Sequence, residues 1–231
     1  MKTQTSNLIY FPDKTQEKLF EIFDDVFSFS VNQFYQTILE SMEEMISNMN
    51  ISDELSERIF PQLVWWIIFC SRTGKNKLTI YQQYLQHNKN QWKKISPNVQ
   101  EVLVSWLHLN PGYYYVDNTE SKSGRVFLFN DVFEGKNKVV GIYNKRFQAP
   151  KYGQLITGFL LPIGEGIYTT PGGLFHIPKS LTENIDQEIV SYFKKHSTSP
   201  NYQFNPQLYP TLIKITLETL EKYTQGGFPN E

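Results

Sequence analysis

A single cysteine, Cys70, stands in a chain of 231 residues. One thiol cannot close an intramolecular disulfide or build a cysteine-based zinc cluster, so neither staple is open to this fold. Cys70 ends an apolar run beside Trp66 and Phe69, the setting of a buried structural thiol rather than an activated one. The four histidines, His87, His108, His176 and His196, show no H-x-x-x-H or H-E-x-x-H spacing. No metal and no cofactor is expected. Long apolar runs are missing too: the longest, LVWWIIFC at 63–70, is far short of the roughly 20 residues of a membrane helix. The opening MKTQTSNLIYFPDK has no sustained apolar segment behind its Lys and no small-residue cleavage site, so no signal peptide is read. A cytoplasmic protein without membrane contact is the expectation.

The usual catalytic spellings are absent as well. SRTGKNKLT at 71–79 resembles the end of a phosphate-binding loop, and Gly-Lys-Asn-Lys recurs at 135–138. A Walker loop needs a second glycine five residues earlier and a hydroxyl after the lysine, because backbone amides wrap the phosphates and the hydroxyl binds magnesium. Those positions hold Phe69 and Asn76, so both copies read as turns. There is no G-x-S-x-G for a nucleophile elbow. The glycines of LPIGEGIYTTPGGLFHIP have no helix behind them to receive a phosphate. The carboxylate pairs Asp24–Asp25 and Glu43–Glu44 fall on helices, where such pairs are solvated.

What is present is an aromatic-rich globular chain, with 40% hydrophobic, 19% charged and 15% aromatic residues. The formal net charge of -1 conceals three blocks. Residues 1–71 carry 4 basic against 11 acidic side chains, residues 72–151 carry 13 against 5, and residues 152–231 carry 5 against 7. The acidic and basic blocks either attract each other or leave the basic one for an outside anion. Between Arg72 and Lys94 lie six basic residues and no acidic one, interleaved with Tyr81, Tyr84 and Trp92. A second cluster runs through Lys122, Arg125, Lys136, Lys138, Lys145, Arg146 and Lys151. Cations that follow phosphates, with aromatic faces that stack bases, are the requirements of single-stranded nucleic-acid binding. Phe127 and Phe129 alternate on one strand face as in RNA-binding sheets, although the same alternation buries a strand face in an ordinary core.

Periodicity divides the chain into a helical region at 1–111, a small antiparallel β-module at 112–178 and C-terminal helices at 179–231, together one cooperative α+β unit. Leu19, Phe20, Phe23, Val26 and Phe27 form the stripe of a first helix, with Asp13 as N-cap. A second helix runs from about Ser30 to Asn48, with Phe34, Tyr35, Ile38, Met42, Met45 and Ile46 inward. A third starts near Ser52 and is interrupted or restarted by Pro61; Leu63–Cys70 is apolar all round and therefore central. Thr79 opens a short helix, and Ser96-Pro97 opens another that buries Val99, Leu103, Trp106 and Leu107. Five or six short aromatic and β-branched strands follow, then helices over about 181–196 and 206–223.

The aromatic helix PQLVWWIIF, then TIYQQYL, SWLHLNPGYYYV, VFLFNDVFEGKNKVV and GQLITGFLLPIGEGIY resemble, in order and spacing, a sparsely described family of Bacillus-type bacterial proteins. Its members often carry a SEC-C zinc motif. The resemblance covers residues 61–178 and implies a helical part with a small β-module; no zinc motif is present, so it implies no metal here. Three functions stand open. The first is a non-enzymatic nucleic-acid-binding protein using Arg72, Lys75, Lys77, Lys93, Lys94, Arg125, Lys136, Lys138, Lys145 and Arg146. The second is an interaction adaptor that meets a protein partner through the acidic N-terminal helices or an apolar patch. The third is an enzyme assembled from dispersed residues, which a deep pocket holding His108 or His176 beside an acid would favour.

Overall fold

The computed structural model describes residues 14–74, 76–119, 125–197 and 206–225. The expected pair of N-terminal helices is present as two helical segments that run on from one another across a kink at Phe34, together α1 (Lys14–Ser47), with the break a few residues beyond the expected one at Ser30. It bends where Phe34 leaves helical geometry (φ -131°, ψ 15°). One turn earlier Ser30, fully buried, donates its hydroxyl to the Val26 carbonyl, a local bond of the kind that bends helices. The expected N-cap Asp13 lies outside the described residues.

The helix α2 (Asp53–Phe69) runs unbroken through Pro61, so the expected interruption does not occur. Its last two turns are buried nearly all round, and that packing offsets the hydrogen bond the proline forfeits. Thr79 caps α3 (Ile80–His87) in a reciprocal capping box with Gln82. The four-residue α4 (Lys89–Trp92) follows, and Pro97 occupies the first turn of α5 (Pro97–Ser105).

The β-module holds seven strands: β1 (Pro111–Thr119), β2 (Val126–Asp131), β3 (Asn137–Gly141), β4 (Leu155–Phe159), β5 (Leu161–Pro162), β6 (Ile167–Thr169) and β7 (Phe175–His176). Their order is β5-β6-β3-β2-β1-β4-β7, antiparallel except for the parallel β3–β6 pair. That pair departs from the all-antiparallel expectation because the chain reverses twice on the way, once through residues 142–154 before β4 and once in the turn between β5 and β6. Only Leu160 separates β4 from β5, yet these strands lie toward opposite ends of the sheet. One bent segment thus serves both ends, and the sheet curls on itself. Tyr114, Val116, Phe127, Phe129, Val140, Ile142, Ile156 and Leu160 fill the interior of the curl. Both Gly-Lys-Asn-Lys copies lie at turns: Gly74 (φ +66°) sits inside the Thr73–Leu78 bridge, and Gly135 (φ +63°) inside the β2–β3 connection.

The outer sheet face packs on the helices. Tyr113, Leu155 and Phe159 share one apolar cluster with α1, α2, α3, α5, α6 (Thr182–His196) and α7 (Tyr209–Gln225). Polar ties cross the same seam: Tyr113 and Thr216 hydroxyls lie 2.8 Å apart, and Trp66 Nε1 donates to the Pro206 carbonyl at 2.8 Å. Among the described residues no helix is long and apolar enough to cross a membrane.

Candidate functional site

The described cations among the ten singled out by sequence are spread over several segments of the chain. Arg72 and Lys77 are exposed at the turn before α3, and Lys93 and Lys94 are exposed beyond α4. Lys75 lies outside the described residues. Arg125 is half-buried and donates to the carbonyls of Asn144, Lys145 and Phe147, so it clasps the loop that carries Lys145 and Arg146. Those two are exposed, as is Lys136, whose ammonium lies 3.8 Å from Glu134. Lys138 is turned into the structure: it pairs with buried Asp131 at 2.8 Å and lies over the rings of Tyr114 and Tyr168. Phe127 and Phe129 are buried inside the curl, so neither offers a face to a base.

The acidic and basic blocks do not neutralise each other through ion pairs. Among the described residues the pairs are Lys18–Glu21, Lys136–Glu134, Lys138–Asp131 and Lys214–Glu218, each within its own block.

Acid–base chemistry would need titratable groups that face one another across a cavity. His108, Asp131, Glu134 and Tyr114 line a cavity of about 200 Å³ at the end of β1. Asp131 is fully engaged there: Oδ1 accepts from the amides of Phe133 and Glu134, and Oδ2 from Lys138. No hydrogen bond joins His108 to either acid among the described residues, so the cavity lacks an oriented acid–base pair. Burial raises the Cys70 thiol far above its ordinary range and lowers the His176 pKa. Among the described residues no group of three or more His, Cys, Asp and Glu side chains is placed to hold a metal.

The most distinctive concavity is elsewhere. Between α1 and α2 runs an apolar groove of about 600 Å³. Its α1 wall carries Phe27 and Val31 before the Phe34 kink and Tyr35, Ile38 and Met42 after it, each set at helical spacing on one face. Its α2 wall carries Phe60, Pro61, Val64 and Trp65. Phe147, Pro171 and Gly172 close the end nearest the β-module. Phe27, Val31, Tyr35 and Phe60 are 43%, 39%, 62% and 45% exposed, where a helix inside a core would cover them. Phe27 and Tyr35, expected to face inward, thus face the groove. The bulk of α1 packs instead through the adjacent stripe of Leu19, Ile22, Val26 and Ser30.

Trp65 shapes the closed end. It stacks near Phe23 and Phe27, with ring centroids 4.5 and 5.5 Å away. A Cβ at Gly172 would stand 2.5 Å from its Nε1, so only glycine lets the 171–173 loop approach the indole this closely. The signal for this site lay in the sequence as two adjacent apolar stripes on one helix, Ile22 beside Phe23 and Val26 beside Phe27. A helix that covers only one face needs one stripe.

No protein-family model matches the chain, and no curated protein and no solved structure is similar to it. The groove is therefore read from its own chemistry.

Proposed function

We propose that this protein is a non-catalytic interaction module whose α1–α2 groove takes an amphipathic helix of a partner protein. The observation that carries this reading is the clustering of four exposed large apolar side chains, Phe27, Val31, Tyr35 and Phe60, along one concavity. From Phe27 to Met42 the α1 wall is about 22 Å long, four helical turns. Both walls are helices whose backbone groups are paired internally, so the groove offers side-chain packing and no strand edge. An occupant that dries such a surface must satisfy its own amides, and a helix does so.

Site-directed photocrosslinking tests it. A crosslinker at Tyr35 is expected to trap one partner segment with an apolar i, i+3, i+4, i+7 stripe, mapped by mass spectrometry. The trapping should fall on the order of tenfold with Val31→Asn, a typical loss for a central contact. A crosslinker at Tyr152, exposed and outside the groove's lining, is the control. Equal and scattered products from positions 35 and 152 would refute the reading.

Nucleic-acid binding is the second reading, favoured by the exposure of Arg72, Lys77, Lys93, Lys94, Lys136, Lys145 and Arg146. Its mark is affinity for single-stranded DNA or RNA that falls steeply with salt and is lost when Lys93 and Lys94 become Glu. Lys138 and Arg125 are poor test positions, because their charges hold the protein's own turn and loop.

A further inference from the structure

We infer that the helix taken by the α1–α2 groove is cationic on its polar face; this rests on the groove being the binding site. Residues 19–57, which form most of α1 and the start of α2, hold nine acidic side chains and no Lys, Arg or His. Several of them border the apolar strip. Asp24 lines it directly. Glu43 follows Leu39 by four residues, and Glu57 precedes Phe60 and Pro61 by three and four, so both continue the groove face of their helices. Asp53 lies one further turn along α2 from Glu57. All four carboxylates are exposed, and none is in an ion pair among the described residues. The nearest cation on α2, Arg58, lies over the Phe175 ring at 5.1 Å. Lys145 and Arg146, next to Phe147, are the basic residues at the closed end.

An apolar strip about four turns long with uncompensated carboxylates along both walls is the complement of a helix with leucine-type residues on one face and Lys or Arg flanking them. An acidic helix would meet like charge at Asp24, Glu43, Asp53 and Glu57, and repulsion of that kind discriminates as strongly as attraction. The basic pair at the closed end favours the occupant's C-terminus there, where the helix dipole is negative. The occupant would then run antiparallel to α1.

Two synthetic 18-residue peptides test this by fluorescence anisotropy with the full chain. Both carry the same leucine stripe, one with Lys and the other with Glu on the polar face; a scrambled Lys peptide without the stripe is the control. The Lys peptide is expected to bind at least tenfold more tightly than the Glu peptide in 50 mM salt, with the ratio shrinking toward 500 mM. The triple variant Asp24→Asn, Glu43→Gln, Glu57→Gln should weaken the Lys peptide by about tenfold, since each exposed pair contributes modestly. Phe27→Ser with Tyr35→Ser should abolish binding of the striped peptide. Equal affinity for Lys and Glu peptides, both lost in the serine variant, would overturn the charge inference and leave the groove reading standing. Binding of the scrambled Lys peptide as tight as the striped one would overturn it as mere surface attraction. Self-association of the chain that is lost in the serine variant would assign the groove to a second copy. Binding that appears only after residues 1–13 are removed would assign it to the chain's own N-terminal segment. Either would overturn the inference. Failure of both striped peptides to bind under every condition would take the groove reading down with it.

Discussion

His176 illustrates how a single half-buried side chain sets a condition on the whole fold. Its Nδ1 lies 3.2 Å from Gln154 Oε1 on the β4 side of the sheet. Burial lowers its pKa, and the positive charge of Arg58 acts in the same direction. The unfolded chain, with an ordinary imidazole near 6.5, therefore takes up the proton first as pH falls. The stability that His176 contributes is fully present above about pH 6.5 and is lost as pH drops toward the folded-state value. Urea midpoints at pH 7.5 and 5.5 should fall apart in the native chain and draw closer together in His176→Asn. Identical pH slopes in the two proteins would show that the imidazole is indifferent to folding.

At the scale of elements, the β2–β3 hairpin depends on Asp131, which is 3% exposed. Its carboxylate receives two turn amides and the Lys138 ammonium. Asp131→Ala leaves all three donors wanting and should cost about 2–4 kcal/mol in urea unfolding. Lys145→Ala, on an exposed loop, should stay within about 0.5 kcal/mol. The same hairpin shows where sequence reasoning reaches and where it stops. Gly135 and Asn137 announced the turn, and the alternation of Phe127 and Phe129 announced a buried strand face. That Lys138 would turn inward was not legible, because its partner's burial depends on how the whole sheet curls. The starts of α3 at Thr79 and of α5 at Ser96-Pro97 and the stripe of α6 were legible, but the single helix expected through Trp92 breaks at Asn88 into α3 and α4, and α5 ends at Ser105, short of the expected stop at Asn110. The two-residue β7 was not, since two residues carry no period. The division of α1 into two segments was legible, although the kink falls at Phe34 rather than at Ser30, and the uncompensated groove along it needed the position of α2.

Taken whole, the molecule has one main core that draws on every part of the chain. Tyr113 and Phe159 of the sheet, Ile67 of α2, Ile189 of α6 and Leu217 of α7 belong to the same cluster. Such sharing predicts one cooperative unfolding unit. Hydrogen exchange in rising urea should bring the amides of β2 and α2 to a common opening free energy. Loss of β2 protection at clearly lower urea than α2 would make the β-module a separate unit. The placement of α7 also bears on how the protein is made. Cys70 accepts a bond from Gln207 at its carbonyl, Trp66 reaches Pro206, and α7 lies against α2. About 140 residues separate the end of α2 from the start of α7. At cellular translation speeds that is roughly 10–30 s during which the most apolar helix of the nascent chain waits for its final cover. α1, and then α3 and the strands β4 and β7 as they emerge, can shield its other flanks meanwhile, so holdase chaperones would find their target on the flank of LVWWIIF that α7 finally covers.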